Sequence, residues 1–377
     1  RSTLFPYTTL FRSASYLRNL KPYKLASHKI WTVEPEKRND VLKLDWNEST
    51  IPPSPLVKEM IGKLLEQPTF FNLYPTTYNA ELLRLLSEYT GLPIENIQYF
   101  ASSDALHEYI CKVYISVGDP VMIVGPSYDN FRLTCQANGA EVYFFNYTDD
   151  FLFDSSKFEE EIYAKEPAVV YICNPNNPTG NLHSAEFIEH LLNEFVDTLF
   201  LIDEAYYEFA GKTAKDLVLK YDNILISRTM SKAFGLANFR VGYLLASKDN
   251  VQFINKIRNP KNLSTFAQTA AIAALKDTKY MWEYVGEVLD AKQFFIMELT
   301  KISDEIKIYP SNGNFVLLRF PSRDIKIDLL NYLADHNIFV RDTTQTPSVH
   351  NCFRITIGTK IQMSRALNVI KQYYAER

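Results

Sequence analysis

The sequence predicts an α/β fold, with a large domain on a mostly parallel seven-stranded sheet sandwiched by helices and a smaller α+β domain after it. Three observations predict this. Seven short apolar runs, bounded by turn residues, lie between Ile97 and Ala246. Amphipathic stretches with helical spacing, such as "SAEFIEHLLNEFV", separate several of them. After Ala246 the pattern becomes one long helical region, then strand, helix, strands and helix. Near-continuous apolar strands need cover on both faces, which a parallel sheet between helices provides.

In chain order, the opening string "RSTLFPYTTLFRS" (Arg1 to Ser13) starts and ends on the same Arg-Ser pair. It resembles the in-frame translation of a sequencing-library adapter, so these residues are expected to be an assembly artefact. They also lack the continuous apolar core and cleavage site of a signal peptide. Residues 14–55 carry several prolines and little periodicity and read as an arm. Helical spacing begins at "PLVKEMIGKLLEQ" and "AELLRLLSEYTG", the second stopping on Gly91. The strand candidates follow as "IQYFA", "VMIV", "EVYFF", "AVVYIC", "LFLID", "NILIS" and "RVGYLLA". The expected division is an arm over 14–55, a large domain over 56–262 and a small domain over 263–377.

Composition removes several function classes. The formal charge of -4 argues against a nucleic-acid footprint, which needs a basic face. No apolar run approaches the roughly 20 residues of a membrane span. Cys111, Cys135, Cys173 and Cys352 are scattered without a C-x-x-C pair or clustered histidines. They read as reduced core thiols of a cytoplasmic protein, with no metal site.

Six stretches carry chemistry. In "YFASSDALHEYI" a strand yields to small residues and a helix start, where backbone N–H groups and the Ser103 hydroxyl offer an anion cradle. The same residues suit an ordinary helix cap. "GPSYDNF" puts Tyr128 just past a strand end, placed either to stack on a planar ring or to pack. "CNPNNPTG" fixes a turn that aims Asn177. "LIDEAYYEF" ends a strand on Asp203, with Tyr206 three residues on, and a carboxylate there needs a cationic or hydrogen-bonding partner. "SRTMSKAFGLANFRVGY" holds Lys232 among small and apolar residues that would lower its pKa. Around it, Thr229, Ser231 and Arg240 supply two hydroxyls and a forked cation suited to a phosphate. Finally "FRITIG" sets Arg354 on a strand between apolar neighbours, paired structurally or available to a carboxylate.

Taken together and in this order, these motifs make the chain resemble the fold-type I pyridoxal-phosphate enzymes, aminotransferase class I/II, nearest the histidinol-phosphate aminotransferase group. The resemblance runs from about Lys43 to the C-terminus. It implies a Schiff-base lysine at Lys232, which also shuttles the proton, and Asp203 against the pyridine nitrogen. Tyr206 and Asn177 would bond the ring's phenolic oxygen, and Tyr128 would stack on the ring. Ser103, Asp104, Thr229, Ser231 and Arg240 would surround the phosphate, the first two mainly through backbone N–H groups. Tyr74, in "NLYPTTY", would reach the phosphate in a neighbouring subunit, implying a homodimer with shared sites. Arg354 would clamp the substrate α-carboxylate and Arg341 a substrate phosphate.

Departures accompany the match. The family's "NENPYGPSP" stands here as "NESTIPPSP", Asn47 to Pro55, a segment expected near the substrate. The arm "YKLASHKIW" lacks the usual turn after Tyr23, so Asn47 and Tyr23 are substrate-side candidates in an altered setting. The expected reaction moves an amino group between an amino acid or amino alcohol phosphate and a 2-oxo acid. A decarboxylase of the threonine-phosphate type is the alternative, and a non-catalytic binding module the third reading.

Overall fold

The computed structural model describes residues 14–17, 20–22, 29–346 and 348–377. Tyr23 and the adapter-like string 1–13 lie outside the described residues. Two sheets organise the chain. The larger contains β2 (Ile97–Phe100), β3 (Pro120–Gly125), β4 (Glu141–Asn146), β5 (Val169–Cys173), β6 (Leu199–Asp203), β7 (Ile224–Thr229) and β8 (Gly242–Ala246). Its spatial order is β2-β8-β7-β6-β5-β3-β4, and β8 alone runs antiparallel to its neighbours. These are the seven strands expected from the apolar runs. Val169 to Cys173 is buried at every residue, as a strand covered on both faces requires.

The smaller sheet joins β1 (Leu42–Leu44), β9 (Lys307–Ile308), β10 (Phe315–Arg319), β11 (Ile338–Asp342) and β12 (Cys352–Thr356), in the order β1-β11-β12-β10-β9. Strand β1 falls in the segment read as an arm. Its alternating burial lets Leu42 and Leu44 enter the core while the backbone pairs in parallel with Ile338 to Val340. The next residues, Asp45 to Asn47, are thereby led between the two sheets.

Helices α1 (Pro55–Leu65), α2 (Ala80–Thr90), α3 (Ser103–Tyr114), α4 (Asn130–Ala137), α5 (Ser155–Lys165), α6 (Ala185–Glu194), α7 (Tyr207–Ala210) and α8 (Lys248–Asn255) precede the long C-terminal region. That region is not one helix. It breaks at Asp277 into α9 (Thr265–Lys276) and α10 (Thr278–Ile302), and Asp277 accepts a hydrogen bond from the Ser54 hydroxyl at 2.5 Å. Helix α9, beyond the boundary expected at 262, packs on α1 and α2. Helix α11 (Arg323–Asp335) packs on β11 and β12 of the small sheet, and α12 (Lys360–Glu376) packs against α10 and α11. Starts are chemically marked: the side chains of Ser54, Asn79, Ser184 and Thr359 each accept a backbone N–H of the helix they open. Among the described residues no helix is long and apolar enough to cross a membrane, and no acidic, His or Cys cluster is arranged to hold a metal ion.

Behind the site the core is polar. Glu204 and Arg228 are buried and joined at 2.7 Å, while Arg228 lies 3.6 Å from the centre of the Tyr207 ring. Nearby Glu208 receives one long bond from the Tyr89 hydroxyl at 3.5 Å, and burial pushes its carboxyl up to about 8. An acid raised from its ordinary 4.5 binds its proton more tightly folded than unfolded. Its contribution to stability is complete below about 4.5 and is lost as pH rises through about 8. Glu208→Gln should therefore flatten the fall of melting temperature between about pH 5 and 8; parallel curves for the two proteins would disprove the assignment.

Candidate active site

Parallel register brings the carboxyl ends of β5, β6 and β7 level, pairing Cys173 with Asp203 and Asp203 with Ser227. Open α/β sheets bind ligands at such an edge. Asp203 closes β6 and is 3% exposed. Its Oδ2 accepts a hydrogen bond from the Tyr171 hydroxyl at 2.7 Å, whereas its buried Oδ1 has no partner among the described residues. Burial raises this carboxyl above its ordinary range, with His107 and the Tyr171 hydroxyl pulling the other way. Such an oxygen is costly until a donor meets it.

Lys232 stands three residues beyond the end of β7, half-buried. Its ammonium donates to the Trp46 carbonyl at 3.0 Å and lies 5.8 Å from the centre of the Tyr206 ring. Burial, then the positive Arg354, lower the amine to about 8, while Glu48 and Asp104 oppose that shift. Between the strand and the lysine, the Thr229 hydroxyl donates to Ser231 Oγ at 2.9 Å.

The same edge receives the start of α3. Gly242 pairs with Phe100 on one side and Thr229 on the other. A Cβ at Gly242 would collide with the Ser103 amide nitrogen, so only glycine lets the helix start come against the sheet. Ser102 caps the helix, accepting the Ala105 N–H at 3.2 Å. The Asp104 carboxylate accepts from Tyr128 at 3.2 Å and Asn130 at 3.0 Å, and pairs with Arg240 at 3.0 Å. Helix start, aromatic ring and guanidinium thus converge.

The small sheet closes the other side. Arg354, buried on β12, donates to Asn177 Oδ1 at 2.5 Å and to the Asp45 carbonyl at 2.6 Å. Asn47 is fully buried with a left-handed φ of 54°, which asparagine tolerates better than most residues. Its Nδ2 donates to the Tyr206 hydroxyl at 3.2 Å and its Oδ1 accepts from Thr356 at 3.1 Å. A lysine with a lowered pKa, a carboxylate with an open oxygen, an anion cradle and a second-sheet arginine therefore border one crevice.

The profile of the family described as aminotransferase class I and II matches residues 39–370. The chain belongs to the class I and II aminotransferases. A dihydroxyacetone phosphate transaminase of Campylobacter jejuni is 40% identical over 360 residues, 95% of this chain and 96% of that one. A histidinol-phosphate aminotransferase of Ruminiclostridium cellulolyticum is 35% identical over 87% of this chain and 91% of its own. Among solved structures, the Sinorhizobium meliloti histidinol-phosphate aminotransferase in complex with pyridoxal-5'-phosphate superposes with a TM-score of 0.83 at 26% identity, covering 98% of this chain and 99% of that one. The expected pyridoxal-phosphate-dependent transaminase is thus met at the level of family and fold, and the binding-module reading falls.

Within this aminotransferase, most sequence-predicted residues gather at the crevice, and Tyr74 stands apart. Tyr74 is 82% exposed on the α1–α2 connection, with the Lys261 ammonium 4.4 Å from its ring centre. Arg341 lies on β11 directly across the antiparallel register from Arg354, which puts both on one face of the small sheet. Three participants escape sequence reasoning. Tyr171, which bonds Asp203, is one more aromatic in an apolar strand. The Trp46 carbonyl carries no residue signature. His107, fully buried and 2.9 Å from Ser227 Oγ, has a weak signal: a titratable residue on the apolar face of a helix.

Proposed function

We propose that this aminotransferase holds pyridoxal phosphate over the ends of β5 to β7 and exchanges an amino group between an amino acid and a small phosphorylated substrate. The observation that carries the reading is the buried Oδ1 of Asp203, which lacks a partner among the described residues beside a lysine lowered to about 8. A protonated ring nitrogen is the donor that this oxygen suits. The cofactor supplies an aldehyde carbon and an electron-accepting ring. The chain supplies the rest. Asp203 keeps the ring nitrogen protonated, and Lys232 Nζ takes and returns the proton at the substrate carbon. The first amides of α3 at Ser103 and Asp104, with Thr229, Ser231 and Arg240, bind the phosphate. Tyr206 and Asn177 orient the ring and Tyr128 covers it.

Arg354 takes the amino-acid carboxylate. Like charges directly opposite on a sheet repel, so Arg341 beside it favours a substrate with a further anionic group. The names of the two relatives, one for dihydroxyacetone phosphate and one for histidinol phosphate, share a phosphate ester and support that class. Asn47 serves the site through Tyr206 and Thr356. We read the enzyme as a homodimer in which the partner subunit's Tyr74 completes the phosphate site. The exposed aromatic surface of Phe71, Tyr74 and Tyr78 supports it. Four buried, unbridged thiols support a reducing compartment, the cytoplasm. The likeness to a threonine phosphate decarboxylase, at 21% identity, extends to fold alone.

The test is a half-reaction screen by absorbance. Histidinol phosphate is added to the aldehyde form and dihydroxyacetone phosphate to the amine form, each beside its dephosphorylated analogue, with threonine phosphate assayed for carbon dioxide. A phosphorylated compound should react and its analogue should not; equal reactivity, or carbon dioxide release, would overturn the reading. Charge-assisted hydrogen bonds contribute about 1.5–3 kcal/mol each. Arg354→Ala should therefore raise the KM for the amino acid about tenfold to a hundredfold and leave cofactor absorbance in place. Loss of that absorbance would mean Arg354 has been misassigned.

A further inference from the structure

Lys292 is a buried lysine on α10 with a side chain spent on backbone. It is 8% exposed, and its ammonium donates to the Ser311 carbonyl at 2.8 Å and the Gly313 carbonyl at 2.9 Å. The partners its ammonium has among the described residues are these carbonyls and no carboxylate, and burial lowers the amine to about 8. A charge kept in that setting opposes its own desolvation, so packing alone gives no reason for it.

The loop it holds lies between the two sheets. The Asn312 N–H and side-chain amide both donate to the Gly180 carbonyl, at 3.1 and 2.9 Å. Gly180 ends the turn that carries Asn177, and its own N–H donates to the Asn176 carbonyl at 2.8 Å. Gly180 has a φ of 80°, and a Cβ there would lie 2.6 Å from Ser311 Cα. No other residue type lets the turn and the loop touch so closely. From the far end of the same loop, Asn314 Nδ2 donates to the Asn47 carbonyl at 3.2 Å. Asn47 in turn bonds Tyr206. One ammonium group therefore stands behind two routes into the crevice, one ending at Asn177 and Arg354, the other at Asn47 and Tyr206.

We propose that Lys292 is a positioning residue for amino-group transfer, fixing the 311–313 loop that bonds Gly180 of the Asn177 turn and leads into Asn314, the donor to Asn47. It touches neither substrate nor cofactor. Its removal loosens Asn177, the acceptor of an Arg354 N–H, and Asn47, the donor to the Tyr206 hydroxyl. The inference rests on the pyridoxal-phosphate reading above.

The experiment compares wild type with Lys292→Met, which keeps length and removes the donors, in the cofactor-loaded enzyme. Expected are a KM for the amino acid raised about tenfold, a smaller change in kcat, and a displaced visible band of the bound cofactor. Asn312→Ala, which cuts the link to Gly180 without burying a charge, should give the same band shift and KM change in weaker form. It also serves as the test if Lys292→Met does not fold. A lowered melting temperature with KM and band unchanged in either folded variant would make Lys292 merely structural and overturn the proposal. A wild-type protein that takes up no cofactor would instead sink the reading beneath it.

Discussion

Lys232→Ala should end turnover altogether, because no other amine among the described residues is placed at the crevice with a comparable shift. At pH 8 about half of an amine with a pKa near 8 is unprotonated, against roughly one in 300 for an ordinary lysine of 10.5. That fraction sets the supply of nucleophile and base. The direction of the shift also fixes a pH response of the cofactor-free protein: its reaction with pyridoxal phosphate should speed up toward pH 8 and level off above it, instead of climbing toward 10. Substitution should reduce kcat by at least about 10⁴-fold, the range for loss of a group that is both nucleophile and base. Single-turnover kinetics with a phosphorylated amine would check it; residual turnover within about tenfold of wild type would exclude Lys232 from the chemistry.

Asp203→Ala should have the next largest effect, and a different signature. On the proposed reading phosphate anchoring would come from the start of α3, Thr229, Ser231 and Arg240, none of which depends on Asp203, so cofactor should still bind. What would be lost, on that reading, is the buried negative partner that keeps the ring nitrogen protonated. A drop in kcat of about 10³-fold or more is expected, equivalent to roughly 4 kcal/mol of transition-state stabilisation. Cofactor titration followed by fluorescence, beside steady-state rates, separates the two quantities. Near-normal turnover in Asp203→Ala would exclude the electron-sink role.

Both residues are legible in the sequence because their chemistry uses residue types that a strand end or small-residue loop does not otherwise favour. A carboxylate closing "LFLID" and a lysine inside "MSKAFG" each break the local pattern. What stayed hidden was hidden for identifiable reasons. Strand β1 is three residues long, too short for a period to declare itself, and its pairing with β11 is distant in sequence. The split of the long helical region at Asp277 has no proline or glycine to announce it. Lys292 sits in a helix rich in lysine and glutamate, where it reads as surface charge. The opposition of Arg341 and Arg354 depends on antiparallel register, which a string of residues does not display.

The pairing of Leu42 with Ile338 also has a consequence for how the enzyme is made. A ribosome adding about 5–20 residues per second needs roughly 15 to 60 s between those two positions. In about the last third of that interval, after Ala246 has been added, the whole larger sheet can be complete while β1 still has nothing to pair with. The carbonyl of Trp46 that receives Lys232 is then still unplaced, so the nascent polypeptide acquires its reactive centre among the last events of its synthesis.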